Sequence, residues 1–559
     1  MTNDTPKEYA STDNTSDIIV DKLIAWNVEM IFTLVGDGVN PIFEALRKRQ
    51  DKIRIITVRH EEAAAFMASG YAKATGKLGV CLGTSGPGAV HLLNGLYDAA
   101  MEGAPVLAIT GLVPHDLLGT KYTQEIDTVA LMKDLAVYNQ QITGPVHAQT
   151  VIDLACRTAL TTPGVAHITA ATDVQMKPLH EDKHSRKGAH LTGSSTFMHR
   201  IDTPPDDEIT KAADLLNSSN KIMILTGRGA LGAREEVEGL AQKLSVPYAK
   251  ALLGKALAPD DSPYTTGGIG RLGTLPSKQM MDDCEVLLIL GSNMPYLEYY
   301  PKEAAGIQID RDPKNIGLRY PVQMGLVGDV KATLKALLPK LRPKTDKSFL
   351  ALAQQRVSDW KQKITKLESD ASIPIKPPYL VAQISKLVND DAHISIDTGA
   401  HTVFTARHFP IKAAQEILVC GNLASMAPGL PYAIAAQLAF PKRQCIAMVG
   451  DGGFTMLMGE LATAVRYDLP IKVIVFKNNG LILDGFEQEE IGGKRYGIDL
   501  QPINFAAIAQ ACGAEGYTCT DPMRLASILQ EAFASSKPAV IEVEVDAETP
   551  PDPPEKLKA

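Results

Sequence analysis

Hydrophobic positions along the chain fall into three blocks of comparable size, parted by two stretches where the patterning lapses. Residues 176–205 are polar, with Gly, Ser, Pro and several charges, and read as a connector. Residues 339–378 carry linker-like flanks, PKLRPKTDK and SIPIKPP, around a stretch at 349–367 that keeps helical spacing. Inside each block short aliphatic runs alternate with longer helical patterns. The runs are 53–58, 78–82 and 106–110 in the first block, 222–225 and 286–290 in the second, and 394–396, 445–449, 471–476 and 539–545 in the third. Such alternation predicts βαβ units, and so an α/β protein whose three domains are each a mostly parallel sheet flanked by helices. The domains expected are 17–178, 206–340 and 379–547, with linkers at 179–205 and 341–378, a disordered N-terminus at 1–16 and a solvated tail at 548–559. Parallel sheets bind ligands at the carboxyl ends of their strands, so the loops that follow these runs are where chemistry is expected.

Composition narrows the class. The 559 residues are 45% hydrophobic and 21% charged, which excludes fibrous and disordered chains. Lys and Arg number 56 against 64 Asp and Glu, a net charge of −8 that argues against a nucleic-acid partner. The seven cysteines are scattered, with no C-x-x-C pair, which suits buried thiols in a reducing compartment. The polar, acidic start has no signal-peptide pattern, and no apolar run reaches the roughly 18 residues of a membrane span. A cytoplasmic protein without a stable membrane anchor is expected.

The strongest chemical signal is Gly450-Asp451-Gly452-Gly453, which follows one predicted strand and opens a helical pattern, while the next strand ends in Lys477-Asn478-Asn479-Gly480. In a parallel βαβ unit both strand ends lie at one edge of the sheet, so Asp451 and Asn478 can converge on one ion. A carboxylate and an amide oxygen are hard ligands suited to Mg²⁺. The glycines let backbone approach a diphosphate, and the helix N-terminus presents amides to its charge.

At this spacing the sequence resembles the thiamine-diphosphate (ThDP) enzymes, whose signature is G-D-G followed by an Asn-containing loop. The resemblance implies that Asp451, Asn478 and the carbonyl of Gly480 hold Mg²⁺, with Asn479 as the alternative amide, and that Gly452 and Gly453 meet the diphosphate. In Arg59-His60-Glu61, the resemblance assigns Glu61 to N1′ of the aminopyrimidine, where it shares a proton and promotes activation of the cofactor. The helix start favours its anion and burial the neutral acid, and burial is expected to dominate. Ala424-Ser425-Met426 is expected to contact the pyrimidine, with Met426 as the apolar wedge that bends the cofactor.

The similarity runs from about Asp17 to Val545 and is closest to the pyruvate oxidases, on RHEEAAAF, SGPGAVHLLNGLYDA, IQIDRDPKNIG and VGDGGFTMLMGEL. It implies FAD in the middle block, with Gly227, Gly268, Arg271, Gly291, Ser292, Asp310 and Asp329 as candidate contacts. Gln124 and Glu487 match family residues near the reactive carbon. Two aromatics usual in pyruvate oxidases are replaced by Thr123 and Leu483. The expected activity is oxidative decarboxylation of a 2-oxo acid, pyruvate foremost, and the alternative is a non-oxidative carboligase or decarboxylase of acetolactate synthase type. Because Glu61 and Asp451 lie in different blocks, the site must join two domains. In this family those come from different subunits, which implies a homodimer at minimum and a homotetramer as the expected assembly.

Overall fold

The computed structural model describes residues 13–179, 193–194, 201–412 and 414–557. Residues 1–12 of the expected N-terminal tail and most of the first linker lie outside the described residues. Three six-stranded sheets follow one another along the chain, and every neighbouring strand pair is parallel. The first holds β1 (Met30–Thr33), β2 (Arg54–Thr57), β3 (Gly79–Gly83), β4 (Val106–Leu112), β5 (Ala136–Ile142) and β6 (Val165–Ala171), in the order β2-β1-β3-β4-β6-β5. The second holds β7 (Ile222–Thr226), β8 (Tyr248–Lys250), β9 (Thr265–Gly268), β10 (Val286–Leu290), β11 (Ala305–Asp310) and β12 (Met324–Val327), in the order β12-β11-β10-β7-β8-β9. The third holds β13 (His393–Ile396), β14 (Glu416–Val419), β15 (Cys445–Gly450), β16 (Lys472–Lys477), β17 (Glu515–Cys519) and β18 (Ala539–Glu544), in the order β14-β13-β15-β16-β18-β17.

These orders fix where ligands can enter. The first and third sheets share one topology, and their strand order reverses between β1 and β3 and between β13 and β15. The middle sheet runs outward from β7 on one side and from β10 on the other, which is the strand order of dinucleotide-binding folds, with its crevice between β7 and β10. Central strands such as β4, β7 and β10 are buried along their whole length, as parallel strands covered on both faces must be.

The N- and C-terminal domains share one buried apolar cluster, beside a further cluster that each keeps to itself. Phe66 and Tyr71 of the Glu61–Thr75 helix belong to the same buried cluster as Tyr432, Ile434 and Phe454 of the C-terminal domain. Gly70 lets the Gly429–Ala439 helix close on the Glu61–Thr75 helix, since a Cβ there would lie 2.7 Å from the Tyr432 ring.

Two segments, at the two ends of the chain, depart from the expected organisation, and the helical spacing at 349–367 is borne out. Asn14 forms a capping box with Asp17 and starts the Thr15–Ala25 helix, so the polar residues Thr15 and Ser16 are buried rather than disordered. The second linker contains a 21-residue helix, Ser348–Glu368, which buries Phe349, Leu350, Trp360 and Ile364. The tail packs back on the body through an Arg495–Glu548 ion pair at 2.7 Å and buries Pro551 and Pro554. Among the described residues no helix is long and apolar enough to cross a membrane.

Candidate active site

The crevice between β13 and β15 is built on Asp451, the first residue of the Asp451–Leu457 helix. Its Oδ1 accepts the Gly452 amide at 2.9 Å, and its Oδ2 accepts the amides of Asn478 at 2.9 Å and Asn479 at 2.5 Å. Asn478 turns its own Oδ1 back to the Gly480 amide at 3.1 Å. The two strand ends therefore meet as the βαβ geometry predicts. Burial raises the pKa of Asp451 against the opposing pull of the Asn479, Asn478 and Gly452 amides. A bound cation would favour the anion, and the carboxylate and amide oxygens are donors that suit Mg²⁺.

Beside this loop, Ala424 and Ala427 adopt positive φ values of 55° and 90°, conformations that side chains rarely take. They turn the chain so that the Met426 methyl lies 3.4 Å from where a Cβ on Gly452 would sit. Met426 and the glycine loop thus form one wall.

Glu61 opens the Glu61–Thr75 helix and is 6% exposed. Its Oε2 lies 2.9 Å from Nδ1 of His91, whose ring stacks on His60 with centroids 4.4 Å apart. His60 caps the helix by accepting the Glu62 amide. The start of this helix is tied to the C-terminal domain in two ways. Glu460 accepts the amides of Arg59 at 2.8 Å and His60 at 3.1 Å. Asn94 donates to Glu62 at 2.7 Å and to Ser425 at 2.9 Å. The segment bearing Glu61 and the segment bearing Met426 are therefore linked within one chain.

Gln124 lies against the glycine-rich turn after β3. It adopts a φ of 65°, packs on Gly86, and accepts a hydrogen bond from Ser85 Oγ at 3.0 Å. Glu487 is exposed on the Ile482–Glu490 helix, and among the described residues no hydrogen bond joins it to this group.

In the middle domain Gly227 follows β7 and Gly291-Ser292 follows β10, so both line the crevice. A Cβ on Gly227 would fall 2.3 Å from the Gly291 carbonyl oxygen, and Gly229 donates its amide to that oxygen at 3.0 Å. Ser292 Oγ and Asn293 Oδ1 are buried without a hydrogen-bond partner. Asp310, at the end of β11, accepts from the Asp312 amide and Asn315, and burial raises its pKa. Gly268 accepts the Thr274 amide at 2.9 Å, which closes the glycine-rich loop that carries Arg271. Arg271 pairs with Glu490 at 3.0 Å and lines a cavity of about 230 Å³ with Phe486, Pro550 and Asp552. Asp329 caps the Val330–Leu337 helix by accepting the Ala332 amide, which gives its carboxylate a structural duty that the sequence did not reveal.

Three families match this architecture in order. The thiamine pyrophosphate enzyme N-terminal TPP binding domain matches residues 13–131, the central domain 209–337 and the C-terminal TPP binding domain 397–543. A Bacillus subtilis protein, YdaP, whose name describes it as thiamine pyrophosphate-containing, is 39% identical over 525 residues, covering 94% of this chain and 90% of its own. The chain belongs to the thiamine pyrophosphate enzyme family. A pyruvate oxidase of Lactiplantibacillus plantarum is 30% identical over 549 residues, or 97% of this chain and 90% of its own. An acetolactate synthase large subunit of Pyropia yezoensis is 28% identical over 558 residues, or 96% and 93%.

In this thiamine pyrophosphate enzyme several residues beside the site escaped the sequence reading. His91 and Asn94 lie in the quoted segment AVHLLNGLYD, but only the fold shows that they face Glu61 and Ser425. Asp397 and His401 follow β13, where the strand-end rule could have found them. Both are buried, Asp397 with Oδ2 and His401 with Nε2 unpaired. Burial pushes Asp397 up to about 7 and His401 down to about 4.

Proposed function

We propose that this enzyme uses ThDP, Mg²⁺ and FAD to decarboxylate a 2-oxo acid oxidatively, with pyruvate as the substrate. The observation that carries this reading is the pairing of two crevices in one chain. One joins a buried Asp451, the Asn478 loop and Met426, in a domain hydrogen-bonded to the start of the Glu61 helix. The other is a dinucleotide-type crevice whose buried Ser292 and Asn293 oxygens want a partner. The donor set of the first fits a magnesium diphosphate, and the glycine cradle of the second fits a dinucleotide.

When bound, the cofactors supply an electrophilic thiazolium that stabilises the charge left by departing CO₂ and a flavin that takes up two electrons. Asp451, Asn478 and Gly480 hold the metal, and Gly452 and Gly453, which carry no side chain, let the backbone approach the diphosphate. Glu61 holds and returns a proton at N1′ of the pyrimidine, kept in place by His91 on one side and by Glu460 beneath the helix start. Ser425 and Met426 pack the pyrimidine, Gln124 orients the substrate, and Glu487 faces it from the other domain. Gly227, Gly268, Arg271, Gly291, Ser292 and Asp310 line the flavin site. A homodimer is the minimum assembly, a homotetramer is the expected one, and the enzyme works in the cytoplasm.

A carboligase of acetolactate synthase type is the second reading. Thr123 and Leu483, which stand where pyruvate oxidases carry aromatics, favour it. Anaerobic addition of pyruvate to the purified enzyme separates the two. Oxidation bleaches bound flavin in wild type and not in Glu61→Gln. Acetolactate formed without bleaching, or a colourless protein that consumes pyruvate, establishes the second reading instead.

A further inference from the structure

The Met426 loop is held in an unfavourable conformation, and the Ser425 hydroxyl, which donates to the Met426 carbonyl at 2.9 Å, leaves the Ala427 amide to be held by another group. Ala427 is 3% exposed and has φ of 90°, a value that costs an alanine and suits a glycine. A buried acceptor beside the loop would hold that amide there. The group best placed to do so is Asp397, at the carboxyl end of β13, which is completely buried.

Asp397 is itself rigidly fixed. Its amide donates to the Met448 carbonyl of the next strand, its carbonyl accepts the Thr402 hydroxyl at 2.5 Å, and its Oδ1 accepts the Thr398 amide at 2.8 Å. That leaves Oδ2, which completes no hydrogen bond. Oδ2 lies 2.6 Å from the point where a Cβ on Gly453 would sit, and the Ala427 amide nitrogen lies 3.6 Å from the same point. The Ala427 amide is also near enough to the carboxyl to favour its anion. An unpaired acceptor, a strained amide and the diphosphate-facing glycine therefore meet in one buried pocket.

We propose that Asp397 is the positioning residue of the Met426 loop: its Oδ2 takes the Ala427 amide as the loop seats, holding Ala427 at positive φ and Met426 against Gly452. This deepens the proposed function and rests on it. Asp397 touches neither substrate nor metal in this account, and acts through the wedge. The functional consequence is selective. The diphosphate grip belongs to Asp451 and Asn478 and should survive loss of Asp397, whereas the bent seating of the pyrimidine should not.

The test uses full-length enzyme and the variants Asp397→Asn, Asp397→Ala, Ala427→Gly and the two double variants. Three quantities are measured: uptake of ThDP with Mg²⁺ by calorimetry, the near-ultraviolet circular dichroism of the bound aminopyrimidine, and kcat with KM for pyruvate. Asn keeps the size of Asp but offers one acceptor oxygen, so it guards against simple misfolding and should still fail. The expected result is a kcat lowered about 100-fold, as for a misplaced reacting group, with KM changed far less and ThDP uptake weakened less than about tenfold. The dichroism of the bound cofactor should change in parallel. Ala427→Gly should retain activity alone and recover much of the loss in both double variants, because glycine adopts φ of 90° without help. Wild-type kcat and dichroism in Asp397→Asn overturn the inference, as does a loss that glycine at 427 does not relieve. Wild-type enzyme that takes up no ThDP overturns the underlying reading and the inference together, whereas normal wild-type uptake beside unimpaired variants overturns the inference alone.

Discussion

His167 lies fully inside the N-terminal sheet, with Nδ1 2.7 Å from Asn139 Oδ1 and Nε2 2.8 Å from Thr110 Oγ1. Burial pushes its pKa from 6.5 down to about 3, so the folded protein keeps it neutral. As pH falls below 6.5 the unfolded chain binds a proton that the native state refuses. The stability this histidine provides is thus complete above 6.5 and lost between there and about 3, at about 1.4 kcal/mol per pH unit. Denaturant midpoints of wild type and His167→Gln at pH 7.5 and pH 5 check this. The variant should lose less stability on acidification, and parallel losses would count against the assignment.

The same scale shows what a sequence can and cannot disclose. Asp451 and Asn478 were legible because a strand-helix-strand crossover converts their spacing into proximity. His91 and Glu460 were not, since each meets its partner across a strand or domain boundary that no local spacing encodes, whereas Asp397 stands at a strand end that the same rule covers. Asp329 was legible as a turn acid but not as a helix cap.

Among elements, β10 falls where its apolar run predicts, because Glu285 and Gly291 bound it sharply. β5 escaped notice since its sequence, AVYNQQI, has three polar residues in seven and little apolar run to mark it. Helix contacts depend on small residues in a way that pattern alone does not reveal. A Cβ on Gly95 of the Leu93–Glu102 helix would lie 2.5 Å from the Phe66 backbone nitrogen, whereas one on Gly239 of the Arg234–Leu244 helix would meet nothing within 4 Å. Gly239→Ala should therefore stabilise by about 0.5–1 kcal/mol through helix propensity. Gly95→Ala has the same propensity gain, but overlap with backbone should outweigh it and leave a net loss of about 1 kcal/mol or more. Thermal midpoints moving in opposite directions support the helix crossing, and a common direction contradicts it.

At the scale of the whole molecule the three sequence blocks are less separate than they look. Lys73, in the N-terminal domain, pairs with Asp98 at 2.7 Å and Glu102 at 3.0 Å and donates to the C-terminal Tyr432 hydroxyl at 3.0 Å. Glu102 also accepts the C-terminal Gly421 amide at 2.7 Å and lies 3.8 Å from Arg228 of the middle domain. Burial works against the charge on Lys73, but Asp98 and Glu102 prevail and raise its pKa. Removing the cation alone, as Lys73→Met, should cost about 3 kcal/mol or more, because buried carboxylates lose their partner. Adding Asp98→Asn should recover part of that loss in denaturation midpoint, and a double variant no better than the single would show that the charges are not the cause.

The central claim is that one chain carries a magnesium-dependent ThDP site built on Asp451, and titration calorimetry of ThDP with and without Mg²⁺ tests it most directly. Wild type should bind ThDP strongly only with the metal, and Asp451→Ala should lose that dependence together with most of the affinity. Equal binding with and without Mg²⁺, or an unaffected Asp451→Ala variant, would contradict the account.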